Sequence, residues 1–95
     1  MLWVNGHQYK IIFQKNLEND NGNLGSCCLR KDEIRIDDSL SESYKEDVLF
    51  HEIFEAIVGL NGIAMDHGVL TILAQNFYSV FKTNNLIVKD ILKKV

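Results

Sequence analysis

Proline is absent from these 95 residues, which excludes proline-rich linkers and polyproline recognition segments. Cysteine is scarce too: Cys27 and Cys28 are the only two, and they are neighbours. Adjacent cysteines rarely bridge each other because the geometry is strained, and neither has a partner at the CxxC-type spacing of a metal site. On a strand they point to opposite faces and behave as small apolar side chains of a reduced, cytoplasmic protein. No run of about 18 apolar residues occurs, so no segment is expected to span a membrane. Met1–Val4 lacks the charged start and long apolar stretch of a signal peptide. Basic residues form no dense run, and the net charge is −3 with a pI near 5.5, which argues against a nucleic-acid partner. Lys89, Lys93 and Lys94 come nearest to a basic cluster, and at the end of a helix they complement its dipole. There is no internal repeat or low-complexity tract.

What remains is an ordinary globular composition, 46% apolar, in a length that suits one domain over residues 1–95 with one core. Leu2-Trp3-Val4 and His7–Phe13 flank Asn5-Gly6, the strongest short hairpin signal. The stretch Asn16–Asn23 is polar and reads as a loop; its Asp and Asn content lacks the terminal Glu and flanking helices of a calcium loop. Leu24–Arg30 and Glu33–Asp37 read as further strands around a Lys31-Asp32 turn, with Ile34 and Ile36 on one face and Arg35 on the other. His7 reads as a strand residue without a role. Trp3, Tyr9 and Phe13 read as core or sheet surface.

Asp37, Asp38, Ser39, Ser41 and Ser43 then offer helix caps, with Ser43 and Glu46 in capping-box spacing. The first helix is expected over Tyr44–Leu60, its buried stripe formed by Val48, Leu49, Ile53, Ala56, Ile57 and Leu60. Gly59, Asn61 and Gly62 end it. A second helix starts at the cap Asp66, with Val69, Leu70, Leu73, Phe77, Val80 and Phe81 at helical spacing; Tyr78 faces the same way and packs into the core. Asn84-Asn85 breaks it, and Leu86–Lys94 reads as a short amphipathic helix or a last strand. Strands first and helices after is an α+β order: a small antiparallel or mixed sheet of three or four strands covered by two or three helices.

The chemistry centres on His51-Glu52-Ile53-Phe54-Glu55. His51 and Glu55 are four apart, one helical turn above each other on one face, at the border of the apolar stripe. Glu52 is the acid beside the first ligand, the position of a general base in a zinc peptidase helix. A catalytic zinc takes three protein ligands and leaves a place for water. The third ligand here is His67, at the start of the second helix, with Asp66 as the alternative.

The stretch Ile34–Asn84 resembles the small HExxH zinc metallopeptidase-like proteins of phages and their hosts, of the ImmA/IrrE or minimal-gluzincin kind. The resemblance rests on Ile34-Arg35-Ile36, on Leu49-Phe50-His51-Glu52-Ile53-Phe54-Glu55-Ala56-Ile57, and on Leu73-Ala74, Phe77-Tyr78, Val80-Phe81 and Asn84. It implies a minimal zincin-like fold, a Zn²⁺ cofactor, Glu52 as catalytic base and a peptide or protein substrate held by backbone pairing with a strand near Ile34. The chain departs from the family at two places: Glu55 stands where the family has His, and His67 about where it has Glu. Two His and one Glu are kept with their positions exchanged. The functional expectation is a zinc metallopeptidase-like protein with metal on His51, Glu55 and His67. The alternative is a catalytically inactive zincin-fold binding or regulatory protein, phage-encoded. So short a chain has little wall for a deep specificity pocket, so a partner or a second copy is expected to complete the site.

Overall fold

The computed structural model describes residues 2–17 and 23–84. Strands β1 (Leu2–Val4) and β2 (His7–Gln14) form a hairpin closed by Asn5 at φ 48° and Gly6 at φ 82°. Both turn residues are left-handed, so the turn follows the twist of its strands, which is why Asn-Gly belongs there. Strands β3 (Gly25–Cys28) and β4 (Glu33–Asp37) follow. β3 is shorter at both ends than the run Leu24–Arg30 suggested.

The sheet order is β1-β2-β4-β3. β4 inserts between β2 and β3, parallel to β2 (Ile11 opposite Ile34, Phe13 opposite Ile36) and antiparallel to β3 (Cys27 opposite Ile34). The sheet is therefore mixed, and β3 is one of its edges.

Alternation places Leu2, Val4, Tyr9, Ile11, Ile34 and Ile36 on one face, where they form a core with Val48, Leu49 and Ala56 of the first helix. Arg35 points away and donates to Gln14 Oε1 at 2.9 Å. Trp3 is exposed on that outer face.

Helix α1 (Glu42–Leu60) lies across the sheet. The chain enters it through Asp37, whose Oδ1 accepts from Ser39 N (2.9 Å) and Ser39 Oγ (2.6 Å). The cap is Ser41, whose Oγ accepts from Tyr44 N at 3.3 Å. The Ser43–Glu46 capping box therefore does not form. Glu46 is buried and serves α2 instead: its Oε1 accepts from Tyr78 Oη (3.0 Å) and Lys82 Nζ (3.4 Å). Local spacing fitted a box, but a tertiary partner took the carboxylate. Gly62 at φ 62° follows the Asn61 cap and supplies the left-handed residue that ends α1.

Helix α2 (His67–Thr83) packs on α1. Asp66 caps it, accepting from Val69 N at 3.2 Å. Its contact face is Leu70, Ala74, Tyr78 and Phe81, with Phe50 of α1 packed against the rings of Tyr78 and Phe81 at 5.8 and 5.3 Å. The apolar spacing on both helices predicted more burial than occurs. Ile57 of α1 and Val69, Leu73, Phe77 and Val80 of α2 are exposed; among the described elements α2 packs chiefly against α1, which covers only one arc of its surface. The segment Leu86–Lys94 lies outside the described residues, as does most of the loop Asn16–Asn23. Neither described helix is long and apolar enough to cross a membrane.

Candidate metal centre

The site forms where the middle of α1, the start of α2 and the edge strand β3 meet. His51 and Glu55 project from one face of α1. The connection over residues 61–66 returns the chain antiparallel, and the Asp66 cap fixes the first turn of α2 so that His67 arrives over Glu55. Glu55 Oε1 lies 3.5 Å from His51 Nε2 and 3.3 Å from His67 Nδ1. The two imidazoles stand edge to face, 5.0 Å between centroids. One donor atom from each of the three residues lies within 4.8 Å of the others.

Two of those separations test the fit to zinc. Bonds of about 2.0–2.1 Å at a tetrahedral ion put neighbouring ligand atoms roughly 3.3–3.4 Å apart. The contacts of 3.3 and 3.5 Å bracket that value. The donor set, two imidazole nitrogens and a carboxylate oxygen, is one that zinc accepts. The same distances also serve a metal-free arrangement in which Glu55 accepts a hydrogen from each imidazole, so the metal content of the protein decides between them.

Comparison with known proteins finds no matching family model, no matching curated protein and no matching solved structure. The centre therefore rests on its own geometry.

Burial holds the His51 imidazole below its ordinary value, against the opposing pull of Glu55. The neutral ring this favours is the form that binds a metal. Burial, and secondly repulsion from Glu55, push the Glu52 carboxyl from 4.5 up to about 7. His67 is 72% exposed at its side chain, so the centre opens to solvent on the α2 side.

Two adjoining clefts run along the centre, of about 340 and 250 Å³, both bounded by Asn23, Gly25, His51, Glu52 and His67. Their floor is α1 and one wall is β3. Gly25 is the reason α1 and β3 come so close: a Cβ there would sit 2.5 Å from Val48 Cγ1 and 3.1 Å from Glu52 Oε2.

The structure thus brings together all four residues singled out in the sequence, His51, Glu52, Glu55 and His67. Asp66, the alternative third ligand, is the α2 cap instead. The strand at Ile34 has no free edge with which to pair a peptide. β4 is interior, with both edges paired to β2 and β3, so the outer edge beside the centre belongs to β3. Asp47, Gly25 and Cys27 are among the cleft residues not expected at the site. Asp47 stands one turn before His51, and the spacing 47, 51, 55 could have shown it. Gly25 and Cys27 come from β3, and nothing local marks them as neighbours of α1. Burial, then Glu52 and Glu55, push the Cys27 thiol up to about 11, and its sulfur is not among the converging donor atoms.

Proposed function

We propose that this protein is a zinc-dependent, metallopeptidase-like hydrolase with metal held by His51, Glu55 and His67. The observation that carries the reading is the convergence of two imidazole nitrogens on one Glu55 oxygen at 3.5 and 3.3 Å, from two different helices. When bound there, zinc supplies Lewis acidity and makes water easier to deprotonate.

The rest falls to the chain's own groups. Glu52 lies in the same cleft but outside the donor set, the position of a proton acceptor. It takes the proton from the attacking water and delivers it to the departing amine. Glu55 and the two imidazoles would hold the ion at the mouth of the cleft that Glu52 lines. The outer edge of β3 offers backbone groups to an extended peptide, and Gly25, Ser26 and Cys27 line the cleft beside His51 and Glu52. A peptide paired there brings its backbone to the centre without a deep side-chain pocket.

The test is the metal content of untagged protein purified without added zinc, beside a His67→Ala variant. About one zinc per chain, lost with His67, supports the three-residue centre. No metal, and no thermal shift on adding zinc, removes it. Glu52→Gln then separates chemistry from binding. In a hydrolase it keeps the metal and abolishes peptide turnover. A protein that binds zinc but turns over no peptide even with Glu52 intact belongs to the alternative, a zincin-fold binding protein.

A further inference from the structure

The outer face of α2 is a second feature the metal centre does not use. Val69, Ile72, Leu73 and Val80 are between 37% and 60% exposed, and Ile57 of α1 lies exposed as well; Phe77 turns back to pack on Phe54 of α1. Together these α2 side chains leave on the order of 300 Å² of contiguous apolar surface, the size at which an exposed patch marks an interaction site.

We infer that this face is the interface of a two-fold symmetric dimer, in which α2 packs antiparallel against α2 of a second copy. Three observations select a second copy as the occupant. First, α2 is nearly free of charge: from His67 to Thr83 the only charged side chain is Lys82, and it reaches back to Glu46 on α1 at 3.4 Å. Nothing on the face repels its own image. Second, Val69, Leu73, Asn76, Val80 and Thr83 follow one another at spacings of four and three, the seam of a helix pair. Third, the seam is self-complementary about its midpoint. Asn76 is central, so an antiparallel partner sets Asn76 against Asn76, Leu73 against Val80 and Val69 against Thr83, as a two-fold axis demands. One polar residue inside an apolar seam fixes register. Antiparallel packing also brings each helix N-terminus beside the other's C-terminus, where the dipoles attract.

The inference is tested on the full chain by sedimentation equilibrium and by cross-linking. The expected mass is twice 10.9 kDa at micromolar concentration. Ile72→Glu and Val80→Glu, both at exposed positions, are expected to weaken association at least tenfold with the helical circular dichroism kept. Asn76→Cys is expected to form a disulfide-linked dimer on mild oxidation, above the background that Cys27 and Cys28 give in the unsubstituted protein. Gln75→Cys, which faces the cleft, is expected to stay at background. A single-chain mass across the concentration range, with Asn76→Cys no more reactive than Gln75→Cys, overturns the dimer; occupation of the seam by the chain's own residues 85–95 gives that result.

Discussion

Glu52 should destabilise the metal-free protein at alkaline pH, and the size of the effect follows from its setting. The carboxyl is buried in α1 against Gly25, beside Glu55, and its pKa rises from 4.5 to about 7. That displacement corresponds to roughly 3 kcal/mol of disfavoured charge. The folded pKa is the higher one, so between about pH 4.5 and pH 7 the native state keeps a proton that the unfolded chain has released. The stabilisation is complete below the unfolded pKa and is lost as pH rises through the folded pKa. Glutamine has the same shape and no charge to bury. Glu52→Gln is therefore expected to be more stable than the parent by about 3 kcal/mol near pH 8, with the gap closing as pH falls toward 4.5. The assay is urea unfolding followed by circular dichroism, in chelator, at several pH values. Zinc added to the parent should narrow the gap, because a nearby cation favours the ionised carboxyl. Equal stability near pH 8, or a difference that does not shrink with acid, would refute the claim that burial controls this group.

Two further substitutions probe how the centre is assembled. Gly25→Ala places a methyl 2.5 Å from Val48 Cγ1, so β3 and α1 must separate. A loss of roughly 1–3 kcal/mol is expected in urea unfolding, together with weaker zinc binding, and an unchanged midpoint would show that the two elements have room to spare. Asp66→Ala removes the acceptor of Val69 N at the residue next to His67. About 1 kcal/mol of stability should go, and zinc affinity by titration should fall more than in an exposed control such as Lys31→Ala; equal affinities would mean that the cap does not position His67.

Much of the fold was legible because its causes are local. Asn5-Gly6 needs two left-handed residues and has them. Asp66 caps the helix that begins at the next residue. The pair His51 and Glu55 shares a helix face by spacing alone, and Glu52 follows from the same helix. Other features depend on distant partners. The alternation of Ile34 and Ile36 identified a strand but not its place, and only the sheet shows β4 in the interior and β3 at the edge beside the centre. Ser43 and Glu46 have capping-box spacing, yet Tyr78 and Lys82, more than thirty residues away, claim Glu46. The apolar pattern of α2 marked Val69, Leu73 and Val80 as inward, since periodicity reports a hydrophobic face and not what covers it. His67 was a candidate by composition and position. Its approach to 3.3 Å from Glu55 required the connection over residues 61–66 to turn α2 back along α1. By itself the sequence determined the turns, the helices and the candidate donor residues, because these depend on residues within a turn or two of one another. The tertiary structure alone decided which edge is open, which carboxylate is buried and which donors meet, because each depends on packing between elements remote in the chain.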